Sequence, residues 1–551
     1  EDLKAMGGYR KSLLLQPFKD IYLQSQMEYE LGITGNRTNL YVFGSVAIFI
    51  LLIACINFMN LATARSEKRS KEVGIRKLLG ADRTALVFQF LGESTLISLL
   101  GFGVAMIGAS ILLPYFNQLT GKEIYLYRDF FPILFILFLA IAAGLLAGIY
   151  PAFFLSGFQP VNILKGRFKG NLAGFSLRQV LVVFQFAISA CLILMVFVIS
   201  QQLSFVQKQD LGFSKEQKLI VPLNSEFTVA KYDVLKSSLL QQSGVKAVTV
   251  ASTYPGIENI ESMLYFPEGK TADNVINITN AVVGDDFLET LGFTLVEGRS
   301  FTEDYKTENP VIILNESAVK ALGYDVHTAV GRQVHYEWRK ELHTYEIVGV
   351  VKDFHFRSLH KNIEPYGFIK GNNGGFLIAS FEGKEVKEVL ENVESTWKKA
   401  GITDPFVYSF LDEDFHRNYQ KEERTASIIM TCAILAIFIA CLGLYGLVSF
   451  ITEQRTKEIG IRKTLGATDW SIVRLLSQDF GKTVFVAVLF SIPASMYLAN
   501  KWLSDFAFKI DLHWGYFVMA GLVALLIAML TVSFQSVKTA LMNPVDSLRS
   551  E

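Results

Sequence analysis

The sequence specifies a multi-pass α-helical membrane protein with an α+β extracytoplasmic domain and a duplicated helical module. Three observations carry this reading. Of 551 residues, 51% are hydrophobic and only 19% charged, whereas a soluble domain has about a quarter charged. Seven apolar, charge-free runs approach or exceed the length that crosses a bilayer. The segment 67–81 (EKRSKEVGIRKLLGA) returns at 453–467 (EQRTKEIGIRKTLGA) with eleven of fifteen positions identical. Lys+Arg and Asp+Glu balance at 52 each, which disfavours a basic nucleic-acid binder and also a chain lying wholly in lipid.

The runs are 41–64, 94–121, 130–164, 179–207, 425–452, 483–500 and 512–537. The sixth is short, so its helix is expected to begin upstream near Ser471. Lys/Arg counts set the orientation: seven fall in 65–83, four in 155–178 and five in 453–474, against two each in 122–129 and 501–511. The basic connections are expected in the cytoplasm, and 1–40 and 208–424 outside. Seven spans from an outer N-terminus leave an even-numbered architecture one short, so a further span and the rest of an outer domain are expected upstream of Glu1. The expected organisation is 1–40, the end of a first outer domain; 41–178, a first three-span module; 179–207, a span with a stalk; 208–424, an outer domain; and 425–551, a second three-span module. Cys55, Cys191, Cys432 and Cys441 all fall in spans, as small packing residues and not a disulfide framework.

The outer segment alternates strand-like runs (218–222, 245–251, 311–314, 345–351, 376–381) with helix-like ones (286–291, 317–322, 386–400), an α+β pattern. Residues 200–208 and 412–426 are expected to prolong the flanking spans as polar stalk helices.

The repeat extends beyond its best-matched segment. Glu93 corresponds to Asp479, Gln159-Pro160-Val161 to Asn543-Pro544-Val545, and Pro17-Phe18-Lys19-Asp20 to Phe410-Leu411-Asp412-Glu413. Within the segment, Glu72 and Arg76, like Glu458 and Arg462, are placed to pair along a helix. Gly80 and Gly466 stand where a helix end favours a left-handed residue, and Arg76, Lys77, Arg462 and Lys463 suit the dipole of the last turn. Val73, Leu79 and Ile75 add apolar contacts beside these charges. Gly74 and Gly460, which weaken a helix by about 1 kcal/mol each, suit a close backbone approach. A positive-inside anchor would need the bases but not the same Glu, Gly and Ile, and an anionic-lipid site predicts a polybasic run without interleaved Glu. The pair therefore reads as two equivalent docking helices for a cytoplasmic partner.

The duplicated Lys71–Ala81 and Lys457–Ala467 motifs, with the terminal Asn543-Pro544-Val545-Asp546-Ser547-Leu548-Arg549-Ser550, resemble the FtsX-like permease domain of MacB/LolC-type (type VII) ABC transporters. Val283-Gly284-Asp285-Asp286-Phe287-Leu288, Gly298-Arg299-Ser300-Phe301 and 349–356 resemble the MacB-type periplasmic core domain. The resemblance implies a duplicated permease module in the cell inner membrane. It also implies a non-catalytic subunit, with a cytoplasmic ABC ATPase homodimer that holds ATP and Mg, and no cofactor in this chain. Glu72, Gly74, Ile75, Arg76, Lys77, Leu79 and Gly80, with Glu458, Gly460, Ile461, Arg462, Lys463, Leu465 and Gly466, would couple to that ATPase. Movement would pass through stalk helices to a core domain that exports or extracts substrate outside the membrane plane, with a periplasmic adaptor. A signalling scaffold acting on a cell-wall hydrolase is the alternative.

No catalytic or metal constellation is legible. Gly269-Lys270-Thr271 and Gly481-Lys482-Thr483 lack the first glycine of a P-loop, having Leu264 and Leu476 there. His327, His335, His343, His355, His360, His416 and His513 show no metal-ligand spacing. Three Asn-x-Ser/Thr sequons, at Asn36, Asn277 and Asn315, carry no weight alone. Glu93 and Asp479 are acids in apolar runs. Near the cytoplasmic interface they suit pairing with coupling residues, and a proton relay is the rival.

Overall fold

The computed structural model describes residues 15–24, 35, 37–156, 177–257, 259, 261–271, 274–301, 310–339, 341–372, 374–383 and 386–541. The chain divides into a helical unit and an α+β unit, the latter spanning residues 204–421 with 504–509.

Among the described residues seven helices are long and apolar enough to cross a membrane. After a short α1 (Phe18–Gln24), they are α2 (Arg37–Leu78), α3 (Arg83–Thr120), α4 (Phe130–Ser156), α5 (Leu177–Lys208), and, beyond the α+β unit, Gln420–Gln454, Asp469–Leu503 and Trp514–Ala540. The sixth begins at Asp469, two residues before the expected start. Lipid supplies no hydrophobic drive between helices, so small residues set their approach. The α3–α4 contact shows this: a Cβ on Gly144 would fall 2.9 Å from the Thr95 Cα, and one on Gly148 2.8 Å from Ser94 Oγ. Ser98 Oγ donates to the Ala140 carbonyl across the same contact at 2.6 Å.

The α+β unit contains β1 (Lys218–Pro222), α6 (Glu226–Ala230), α7 (Tyr232–Leu240), β2 (Val245–Ala251), β3 (Ser262–Pro267), β4 (Ile276–Val283), α8 (Phe287–Leu291), β5 (Leu295–Gly298), β6 (Val311–Asn315), α9 (Glu316–Ala321), β7 (Gln333–Trp338), β8 (Glu341–Val351), β9 (Tyr366–Lys370), β10 (Phe376–Phe381), α10 (Val386–Lys399), β11 (Ser409–Phe410) and α11 (Leu411–Arg417). The strands run β11-β1-β10-β2 and then, through the Ala251–Val283 pair, into β4-β3-β7-β8-β6-β9, where β9 returns to pair with β4 and closes a six-stranded ring.

Side chains alternate across a strand, so Leu219 and Val221 join one core with α7 and α10, while Ile220 joins another. Both faces are covered, which is why β1 reads as a continuous apolar run. The ring has its own core around Tyr265, Ile278, Ile312, Leu314 and Val350, capped by Ala318 and Val319 of α9. The third core, aromatic, gathers Phe287, Phe293, Phe354 and Phe368, with Phe293 and Phe354 centred 4.8 Å apart.

Two expectations are corrected. Residues 412–426 are not one stalk helix: α11 ends at Arg417, and the spanning helix starts at Gln420. Asn418 and Tyr419 are diverted into side-chain bonds, Asn418 Nδ2 to the Gly256 carbonyl at 2.9 Å and the buried Tyr419 hydroxyl accepting from the Leu359 N–H at 2.9 Å. The strand-like runs also understate the sheet, since β3, β4, β5, β7, β9 and β11 are additional strands. Polar residues interleave β4 and β7, and Pro267 ends β3. Most of 1–40, the connection 157–176 and the tail from 542 lie outside the described residues.

Substituting Gly144→Leu should destabilise the detergent-purified chain by about 2 kcal/mol through overpacking against α3. Gly101→Leu, where a Cβ meets nothing within 4 Å, should stay within about 0.5 kcal/mol of the parent. Thermal unfolding of both variants checks this, and equal effects would remove the contact from the argument.

Candidate functional site

The duplicated segment forms a matched pair of helix ends. In the first copy it is the last turns of α2; in the second it is a separate helix, α13 (Thr456–Thr464), which follows α12 (Gln420–Gln454) after a break at Arg455. Each ends on a glycine with positive φ, 94° at Gly80 and 93° at Gly466. The bond pattern is the same in both. Gly80 N–H donates to the Lys77 carbonyl and Ala81 N–H to that of Arg76, while Gly466 donates to Lys463 and Ala467 to Arg462. This closes the orphan carbonyls of the helix end.

Glu72–Arg76 and Glu458–Arg462 each pair at 2.7 Å, about half exposed. Such pairs contribute little stability; they hold a defined charge pattern. On the inner side Val73 packs with Leu86 and Phe90 of α3, and Ile459 with Ile472 and Leu476 of α14 (Asp469–Leu503). Gly74 and Gly460 are buried with them. Lys77 donates to the Ser156 carbonyl, burial lowering its pKa, and Lys463 pairs with Asp469 at 2.9 Å. On the outer side Ile75 is 57% exposed and Ile461 51%, Leu79 83% and Leu465 81%. Each copy thus presents an apolar pair, four residues apart, beside a Glu–Arg pair.

Glu93 accepts from Gln89 Nε2 at 3.2 Å, and Gln89 Oε1 accepts from Arg76 at 2.9 Å, so an amide links the acid to the repeated segment. The side chain of Asp479 lies outside the described residues. Among the described residues no group of three His, Cys, Asp or Glu is placed to hold a metal.

A second cluster, invisible in the sequence, ties α11 into the α+β unit. Leu411 and Phe415 are buried in the aromatic core. Beside them the buried Asp414 carboxylate accepts from the Tyr254 hydroxyl at 2.8 Å and from Ser409, and pairs with Arg417 at 3.0 Å. Burial, then this carboxylate, raises the Tyr254 pKa. Nearby His355 is buried, and desolvation lowers its pKa against the opposing pull of Asp210 and Asp353. The pairing of Tyr254 with Asp414 spans 160 residues of chain, so no local pattern signals it.

Spans in two copies, a polar α+β domain and twin exposed helix ends define a multi-pass membrane protein of the duplicated type. Comparison with known proteins agrees: residues 44–160 and 430–544 match the FtsX-like permease C-terminal domain, and 186–370 the MacB-like periplasmic core domain. The chain belongs to the ABC transporter permeases built from these two domains. It is 24% identical over 369 residues (60% of this chain, 53% of the relative) to the macrolide export ATP-binding/permease protein MacB of Aggregatibacter actinomycetemcomitans. It is 23% identical to the MacB of Mannheimia succiniciproducens (57% of this chain, 48% of the relative). The chain thus spans about half the length of these curated relatives. Among solved structures, a domain of a putative permease from Porphyromonas gingivalis is similar at 14% identity, covering 35% of this chain and 89% of that one, with a TM-score of 0.26.

Two outcomes are expected here. Asp414→Leu, which strands the buried Tyr254 hydroxyl, should cost the α+β unit about 2 kcal/mol, read by urea unfolding; a loss below 0.5 kcal/mol would refute the cluster's role. His355 protonates at lower pH in the folded than in the unfolded chain. Its stabilisation is present above the unfolded value of about 6.5 and lost as pH falls below it. His355→Gln should therefore flatten the stability slope between about pH 7 and 5.

Proposed function

We propose that the chain is the permease subunit of an ABC transporter in the inner membrane, coupling ATP hydrolysis by a separate ATPase pair to export or extraction on the outer side. The observation that carries this is the match between the two helix ends: the same apolar pair exposed, the same Glu–Arg pair beside it and the same glycine stop. Leaving two large aliphatic side chains in water costs about 1.5–3 kcal/mol each relative to burial, and that cost arises twice at equivalent places. A partner with two equivalent grooves explains it. ATP and Mg belong to that partner, and the helix ends receive its closing motion. The MacB names of the relatives support efflux as the direction of work. A scaffold acting on a periplasmic hydrolase, or on an adaptor, would use the same lever with another load. The amide link between Glu93 and Arg76 supports a structural role for Glu93 over a proton relay.

The test is Ile461→Asp with Leu465→Asp, and separately Ile75→Asp with Leu79→Asp. Because these side chains are exposed, the chain should keep its unfolding temperature. Co-purification with the ABC ATPase proposed as its partner should fall about tenfold for each pair. Unchanged co-purification and hydrolysis in both would overturn the proposal.

A further inference from the structure

A hydroxyl buried in a spanning helix ordinarily donates to a carbonyl one turn back on the same helix. In α14 and α15 (Trp514–Ala540) Ser491 donates to the Val488 carbonyl at 2.7 Å, Ser495 to that of Ser491 at 2.6 Å, Thr531 to Ile527 at 2.9 Å and Thr539 to Gln535 at 3.1 Å. Ser477 of α14 and Ser536 of α15 do not. Their hydroxyls, and the Gln535 Oε1, are buried without a hydrogen-bond partner among the described residues. Ser477 is 4% exposed, Gln535 7% and Ser536 0%.

The three side chains belong to one level of the module. A Cβ on Gly481 would meet the Met529 thioether at 3.5 Å, and one on Gly521 the Val488 side chain at 2.7 Å, which sets the antiparallel register of the two helices. One turn back from Gly481 is Ser477, and one turn on from Met529 is Ser533. Ser477 therefore stands level with the turn that carries Gln535 and Ser536.

The internal repeat gives the same placement. In the first copy Ala152 of α4 is buried with Val73, Leu86 and Phe90, and Leu91 packs against that group. The register that aligns the basic segments makes Ser477 the counterpart of Leu91. The register that aligns Pro160 with Pro544 makes Gln535 and Ser536 the counterparts of Pro151 and Ala152. A joint closed by Leu, Pro and Ala in the first copy is thus lined by Ser, Gln and Ser in the second, beside the packing of Ile459 of α13 on Ile472 and Leu476.

Small residues are favoured where spanning helices approach closely. That would account for Ser536 in place of Ala, but not for Gln535 or for two hydroxyls that forgo the bond to their own helix. A buried hydroxyl or amide oxygen left unpaired is costly, and internal water is the remedy where several such groups converge. We infer that Ser477, Gln535 and Ser536 enclose internal water between α14 and α15, and that the first copy is dry at the equivalent place. Two hydroxyls that both donate and accept, with an amide oxygen that accepts, form a neutral lining suited to water. A hydrated contact can exchange hydrogen bonds as its helices shift. The first copy has instead a close fit, a Cβ on Gly148 falling 2.8 Å from Ser94 Oγ and 3.3 Å from Leu91 Cδ2. The inference rests on the repeat and the buried oxygens, not on ATPase coupling.

The experiment is X-ray radiolysis of the native protein, purified in detergent without nucleotide. Hydroxyl radicals formed from water oxidise the side chains that the water touches, and digestion with mass spectrometry locates the added oxygen. Leu476 and Leu86 are matched reporters, 3% and 2% exposed, at the second and the first joint. Leu476 should gain oxygen with dose, and Leu86 should stay unlabelled. Ser477→Ala combined with Gln535→Leu and Ser536→Ala should lose the Leu476 label and keep the unfolding temperature. An unlabelled Leu476, equal labelling of the two leucines, or a label that persists in the folded triple variant would each overturn the inference. If the triple variant does not fold, the comparison of the two leucines in the native protein decides alone. Loss of ATPase binding in the helix-end variants leaves this result unchanged, so the two readings fail separately.

Discussion

The structure of the α+β unit depends on one buried aromatic core. Val206, Leu211 and Phe213 enter it as the chain arrives, Leu411, Phe415 and Tyr419 as it leaves, and Phe508 packs against it from the outer turn of the second module. Apolar burial at about 25 cal/mol per Å² is non-directional. Here it is made directional by polar pins at the rim: the Asp414 carboxylate with its hydroxyl donors, the Tyr419 hydroxyl on Leu359 and the Phe508 N–H on the same residue's carbonyl. Breaking any pin leaves a buried polar group unpaired, which costs more than the bond contributes. The entries are thereby held in register as well as in place.

The helix ends answer to a different constraint. Their inner faces are satisfied by Val73 and Ile459, and the glycine stop turns the chain sharply into the next span. Nothing in the folding of the helical unit needs the aliphatic pair outside. Selection for stability alone would replace Ile75, Leu79, Ile461 and Leu465 with polar helix formers at no packing cost. Their presence at matched positions supports a use outside this chain.

What was legible in the sequence follows the range of the interactions. Spans are written as local apolar runs, so all seven stood out. Strands covered on both faces, such as Lys218–Pro222 and Phe376–Phe381, read the same way. The left-handed stops at Gly80 and Gly466 were legible because only a few residues decide them. The ring strands Ser262–Pro267 and Gln333–Trp338 were not, since their partners stand far along the chain and their outer positions are polar or aromatic. The break at Asn418 and Tyr419 follows from bonds to residues 256 and 359, contacts that no window of sequence contains.

The two copies are alike in sequence and unlike in mechanics. In the first, span and repeated segment form one helix of 42 residues, about 63 Å of continuous backbone at 1.5 Å per residue. In the second, the backbone departs from helical geometry at Arg455, with ψ of 10°, although its N–H still donates to the Ile451 carbonyl and its carbonyl accepts from the Ile459 N–H, and a nine-residue helix follows. A continuous helix passes both tilt and rotation along its axis, whereas a joint passes displacement but absorbs rotation. Residues 504–509 of the second copy belong to the α+β unit. The two halves have thus diverged in backbone at the repeated segment while keeping its Glu–Arg pair and its glycine stop.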